Sequence, residues 1–130
     1  MLIEQIYATR RSFSPTLDEN KRGELGQFMT PGPIAEFMSR MFGPLPENVR
    51  LLDAGAGMGA LSVAFIYDAC ARPKPPKSIE ITAFEIWPEL ADLLEEHLSL
   101  AAGMAKSAGV EVYFCVRRED YILASAEPVL

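Results

Sequence analysis

The sequence predicts an α/β fold: an open parallel sheet of about three strands, flanked by helices and preceded by a helical segment. Two observations carry that prediction. Short apolar runs recur at Val49–Asp53, Ser78–Glu85 and Val110–Val116, and helical patterns separate them. Strands alternating with helices build right-handed crossover units, and such units give a parallel sheet. In addition, the first run ends in Asp53-Ala54-Gly55-Ala56-Gly57-Met58-Gly59, an acid followed by glycines at alternate positions. Glycine lets the chain turn tightly and brings bare backbone close to a ligand. A helix starting at Ala60 then points its free amides and positive dipole end back into that turn.

Each element has a local reason. Residues 2–13 place Leu2, Ile3, Ile6 and Tyr7 on one helical face and end in Arg10-Arg11, an amphipathic helix with an apolar side to pack. Ser14-Pro15-Thr16 breaks it, and Asp18 to Gly23 is a polar loop. Gly23 to Pro33 is too rich in glycine and proline for a regular element, yet Leu25, Phe28 and Met29 are too apolar for a solvated linker. A loop that buries itself near a site fits best. Thr30 is a good N-cap and Pro31 a good first helical residue, so a helix is expected through Ile34, Ala35, Phe37, Met38 and Met41, stopping near Gly43-Pro44. After the glycine turn, the helix runs from Ala60 to Ala71. Arg72-Pro73-Lys74-Pro75-Pro76-Lys77 is a stiff connector, because proline supplies no amide hydrogen. The second strand ends on Glu85, and Pro88 opens a long helix that ends near Gly109. The third strand leads into the charged turn Arg117-Arg118-Glu119-Asp120 and a short helix over Tyr121–Ser125.

Bulk properties narrow the function. The 130 residues suit one domain with a real core, here an N-terminal part over 1–45 and an α/β core over 46–130. Hydrophobic residues make up 49% and charged residues 23%, ordinary values for a globular protein. No apolar run reaches membrane length and the start has no signal-peptide pattern, so a cytoplasmic location is expected. Cys70 and Cys115 lie far apart without metal spacing and read as buried free thiols. The net charge of −6 opposes duplex binding, which needs a basic face against phosphates. This chain alone is expected to bind DNA weakly or not at all.

The chemistry resides in acids at equivalent places: Asp53 after the first strand, Glu85 after the second, Asp120 after the third. In an open parallel sheet the C-terminal strand ends line one crevice. A carboxylate after the second strand suits the two hydroxyls of a ribose, and one after the third suits an exocyclic amine such as adenine N6. Asp53 beside the glycine turn suits a cationic group and repels a pyrophosphate. Gly55-Ala56-Gly57-Met58-Gly59-Ala60 does match the dinucleotide spacing, but there an acid is expected about 20 residues on. Glu85 follows Gly55 by 30 residues. The sign of the charge favours S-adenosylmethionine, with its sulfonium and ammonium groups, over NAD.

Asp53 with Gly55, Gly57 and Gly59 resembles motif I of the S-adenosylmethionine-dependent methyltransferases, which implies a Rossmann-like methyltransferase fold. Gly26-Gln27-Phe28-Met29-Thr30-Pro31 with Ile34-Ala35-Glu36-Phe37-Met38 resembles motif X of the N6-adenine DNA methyltransferases of restriction–modification systems, where it likewise precedes motif I. Phe84-Glu85-Ile86 is similar to motif II and Arg118-Glu119-Asp120-Tyr121-Ile122 to motif III, so the resemblance covers roughly residues 20–125. It implies that the backbone at Phe28, Thr30 and Pro31 holds the methionine carboxylate. By the same resemblance Asp53 and the Gly55–Gly59 loop take the amine and adenosine, Glu85 the ribose, Ile86 the adenine face and Asp120 adenine N6.

One departure bounds the expectation. The family's motif IV, Asn/Asp-Pro-Pro-aromatic, holds the flipped base, and the chain contains no such tetrapeptide; Pro75-Pro76 lies between lysines in the wrong connection. Leu130 falls about where a fourth strand is expected, and no basic target-recognition region is present. The reading is a single truncated S-adenosylmethionine-binding domain, with no catalytic residue of its own and no metal site. It belongs to an enzyme whose full-length form binds DNA, and it is inactive alone. The sheet edge left open at the first strand or its neighbour invites self-association. Three other readings compete: a methyltransferase-like protein-interaction module, an NAD-type domain, and methylation of RNA or a small molecule. Trp87 either covers an adenine edge or packs under Pro88. His97 reads as a surface or hydrogen-bonded structural residue, and Met38, Met41 and Met58 as core fillers.

Overall fold

The structure, a computed structural model, describes residues 32–126. The expected helix over 2–13 and the segment containing Phe28, Thr30 and Pro31 lie outside the described residues. The order of elements is α1 (Gly32–Ser39), β1 (Asn48–Asp53), α2 (Ala60–Ala71), β2 (Ser78–Phe84), α3 (Pro88–Ser107), β3 (Glu111–Arg117) and α4 (Tyr121–Ser125). The three strands form one parallel sheet in the order β1-β2-β3, with Asp53 beside Ala83 and Phe84 beside Arg117. This is the expected Rossmann-like α/β arrangement, in which the C-terminal strand ends lie level with one another.

The core lies between the sheet and two helices. Val49, Ile79, Ile81 and Ala83 point from the strands into a cluster with Val63, Phe65 and Ile66 of α2 and Leu90, Leu94 and Leu98 of α3. Helix α2 is apolar almost all round because it is enclosed: it touches α3 on one side and α1 on another. Helix α3 buries one stripe, Leu90, Ala91, Leu94, His97, Leu98, Ala101 and Ala105, spaced for one helical face. Arg72 ties the two ends of this layer together. Its guanidinium pairs with Asp68 one turn back and donates to the carbonyls of Phe42 and Gly43, pinning the connection that leads into β1.

Among the described residues the strands are covered mainly on one face. Burial in β1 alternates, and Arg50 and Leu52 are exposed; so are Glu80 in β2 and Tyr113 and Cys115 in β3. The reason is topological. A sheet that advances β1-β2-β3 in one direction through right-handed crossovers places both connecting helices on the same side. On the other side, among the described residues, the side chain of Tyr121 in α4 meets Phe84 edge-on at 5.2 Å. Cys115 is therefore exposed instead of buried, while Cys70 in α2 is half-buried.

Helix α1 also differs from expectation. Ala35 and Ser39 are buried, and the Ser39 hydroxyl donates to the Glu36 carbonyl. Met38 and Met41 are 40% and 71% exposed, so neither fills the core. The helix lies outside α2 and buries one narrow stripe, and the rest of its apolar surface faces outward. Met58, the third methionine in question, is buried in the core.

Candidate functional site

The glycine turn between β1 and α2 is fastened at nearly every residue. The Ala56 amide donates to the Phe84 carbonyl at 2.9 Å, joining the turn to the end of β2. The Gly57 amide donates to Glu85 Oε1 at 2.8 Å, and the Gly59 amide returns to the Ala56 carbonyl at 2.9 Å. Gly59 has φ +96° and caps α2 without a side chain of its own. A Cβ added there would lie 2.9 Å from Leu94 Cδ1 of α3. Only glycine meets both conditions without strain. Met58 points into the core, and its carbonyl lies 2.7 Å from His97 Nδ1.

Asp53 lies beneath this turn. It ends β1, is buried, and accepts a hydrogen bond from the Ser62 hydroxyl in the first turn of α2 at 2.6 Å. Burial raises its carboxyl above the ordinary value, the Ser62 hydrogen bond acts in the opposite direction, and the nearby Glu85 charge adds to the rise. Glu85 is itself buried directly after β2. Its Oε1 accepts from Gly57 and its Oε2 from the Trp87 amide at 2.9 Å. The Glu85 amide donates to the Arg117 carbonyl at 3.0 Å, which fixes the strand ends relative to one another.

Above the strand ends opens a cleft of about 340 Å³, lined by Gly55, Glu85, Ile86, Glu119, Asp120 and Tyr121 among others. That volume is at the lower end of the roughly 300–1,000 Å³ of small-molecule sites. Asp120 accepts the Ile122 amide through Oδ1 at 2.8 Å and so caps α4, the short helix that closes the far wall. Phe84 forms part of the floor between Tyr121 and the Arg117 guanidinium, which stands 5.3 Å over its ring. Arg118 anchors the same turn by pairing with Asp92 and Glu95 of α3. Ile86 is exposed at the cleft, an apolar surface beside the carboxylates.

The sequence-predicted residues therefore separate into three groups. Gly55, Glu85, Ile86 and Asp120 come together in the cleft. Asp53, Gly57 and Gly59 lie under it and shape the turn. Phe28, Thr30 and Pro31 lie outside the described residues. Trp87 is partly buried against the core and holds Glu85 through its backbone amide. Sequence reasoning missed Ser62, Tyr121 and the part played by His97. The available signal for His97 was a single imidazole on the apolar stripe of a long helix, three residues after Leu94 and one before Leu98. Among the described residues, no group of three or more His, Cys, Asp or Glu side chains is arranged to hold a metal ion. Likewise none of the described helices is long and apolar enough to cross a membrane.

The chain is 35% identical over 130 residues to the type II methyltransferase M.PstI of Providencia stuartii, an alignment covering all of this chain and 25% of that protein. The chain is a relative of the type II methyltransferases. It is also 28% identical over 130 residues to the type II methyltransferase M.BsuBI of Bacillus subtilis, covering 99% of this chain and 24% of that protein. The chain thus spans about a quarter of the length of these methyltransferases. No protein-family model matches it. The methyltransferase resemblance read from the sequence is borne out by this relationship.

Proposed function

We propose that the chain is the S-adenosylmethionine-binding part of a DNA adenine N6-methyltransferase of the restriction–modification type. The observation that carries the reading is the pairing of a glycine turn with a carboxylate-lined cleft at the C-terminal ends of parallel strands. Asp53 and Glu85 are two carboxylates close to one another there, and the Glu85 charge adds to the rise of the Asp53 carboxyl. A sulfonium and an ammonium offset that charge, and a pyrophosphate adds to it. In this reading Asp53 and the Gly55–Gly59 turn face the methionine amine and adenosine, Glu85 the ribose hydroxyls, Ile86 the adenine ring and Asp120 its N6 amine. The backbone at Phe28, Thr30 and Pro31 holds the methionine carboxylate. Bound S-adenosylmethionine supplies an electrophilic methyl group; these residues bind and orient it.

We place the base-holding step outside these residues, because they contain no Asn/Asp-Pro-Pro-aromatic sequence. With a net charge of −6, the chain alone neither binds duplex DNA appreciably nor methylates it. The relationship to type II methyltransferases supports DNA as the partner of the whole enzyme, acting in the cytoplasm. Residues 1–45 and 46–130 act as one domain in this reading.

Calorimetric titration with S-adenosylmethionine, with NAD as control, tests the proposal. Binding of the first and not the second is expected. Asp120→Asn keeps the Oδ1 acceptor that caps α4 and replaces the other oxygen with a donor, so it should weaken binding about tenfold, the effect of about 1.4 kcal/mol. Binding of NAD alone refutes the reading, and absence of both with a stable dimer favours an interaction module.

A further inference from the structure

Helix α3 carries a histidine whose place is not explained by packing alone. His97 is 5% exposed, on the face of α3 otherwise made of Leu90, Leu94, Leu98 and Ala101. Its Nδ1 lies 2.7 Å from the carbonyl oxygen of Met58, in the middle of the glycine turn and 39 residues away in sequence. A carbonyl only accepts, so Nδ1 carries the hydrogen and donates it. One turn earlier on the same helix, Leu94 fills the space against Gly59, where a Cβ would come within 2.9 Å. Helix α3 therefore touches the turn at two consecutive residues, with a polar contact at Met58 and an apolar one at Gly59.

We propose that His97 is a positioning residue for the cofactor-binding turn, acting through the Met58 carbonyl; this rests on the S-adenosylmethionine reading above. The Met58 carbonyl shares its peptide plane with the Gly59 amide, which donates to the Ala56 carbonyl at 2.9 Å and closes the turn. Holding the Met58 carbonyl toward α3 fixes that plane, and with it the hydrogen bond that closes the turn, before any ligand arrives. A turn ordered in advance binds its ligand more tightly, because less conformational freedom is lost on binding. The histidine also couples the turn to α3, whose N-terminal part is joined through Asp92 and Glu95 to Arg118 beside Asp120. Helix α3 thereby supports both ends of the cleft.

The test compares His97→Asn, whose amide nitrogen occupies the Nδ1 branch position, with His97→Gln and His97→Leu. Amide hydrogen exchange is followed across the chain, and S-adenosylmethionine affinity by calorimetry. Exchange over residues 56–61 should rise about tenfold in His97→Gln and His97→Leu and remain near wild type in His97→Asn, with β2 unchanged in all. S-adenosylmethionine affinity should fall about tenfold in the first two variants and recover in the third. Nitrogen NMR of the wild type should show the hydrogen on Nδ1. Equal exchange in the turn across all variants overturns the proposal, as does a uniform rise over the whole chain or global unfolding of both His97→Asn and His97→Gln. If the wild type fails to bind S-adenosylmethionine, the functional reading falls, and the exchange comparison alone decides the role of His97.

Discussion

Gly59→Ala probes the turn most directly. Gly59 sits at φ +96° and ψ 16°, where a side chain is disfavoured even in open space. Forcing a residue other than glycine into such a region costs about 1–3 kcal/mol. The new methyl would also meet Leu94 Cδ1 at 2.9 Å, the far end of a flexible side chain that can yield by a few tenths of an ångström. Replacing glycine restricts the unfolded chain and returns about 0.4–1 kcal/mol. The net loss is then about 1–2 kcal/mol. With a urea m-value of about 2 kcal/mol/M, the unfolding midpoint should fall by about 0.5–1 M. A cycle with Leu94→Ala separates the two contributions. Leu94 is fully buried, so its truncation alone should cost about 2–5 kcal/mol. The double variant should be less destabilised than the sum by about 0.5 kcal/mol or more, because truncation clears the overlap and leaves the backbone strain. An unchanged midpoint for Gly59→Ala would refute the positive φ. Strict additivity would refute the contact with α3.

The pH dependence of Asp53 has a definite sign. Its folded carboxyl titrates above the ordinary value of 3.8, so its contribution is fully present below that pH and lost as pH rises through the raised folded value. Asp53→Asn should therefore gain stability relative to wild type as pH rises from 3.8 through that window, seen as diverging urea midpoints; parallel curves would contradict the burial argument. Binding a cationic ligand favours ionised Asp53, so calorimetry in buffers of different ionisation enthalpy should detect proton release near the folded value and none well above it. Ser62→Ala removes the hydroxyl that bonds Asp53 and should cost about 1–3 kcal/mol by urea unfolding, while carbon NMR shows the Asp53 carboxyl titrating still higher. Arg72→Ala frees the carbonyls of Phe42 and Gly43, and its loss of roughly 1–3 kcal/mol should not be restored by Arg72→Lys, since one ammonium does not span the guanidinium's three partners.

Local signals made much of this readable in advance. The boundaries of α2 and the start of α3 follow from Gly59 and Pro88, residues whose backbone preferences act without reference to the rest of the chain. The three strands and the acids at their ends were equally visible, because a run of apolar residues and the polar residue that stops it are adjacent in sequence. Met38, Met41 and Cys115 were misjudged for the opposite reason. Periodicity tells which residues share a face and is silent about whether another element arrives to cover it.

The sequence by itself determined the element types, the parallel α/β class and the relation of Gly55, Glu85 and Asp120 to the strand ends, since each depends on residues close along the chain. Only the tertiary structure decided which face of the sheet is covered. That outcome depends on the direction in which successive strands are added, which puts α2 and α3 on one side. Likewise only the fold turned Glu85 inward to hold Gly57, placed Ser62 on Asp53 and brought His97 to Met58 across 39 residues. Those contacts join segments far apart in the chain, and such pairings are specified by how the elements pack, which no local pattern encodes.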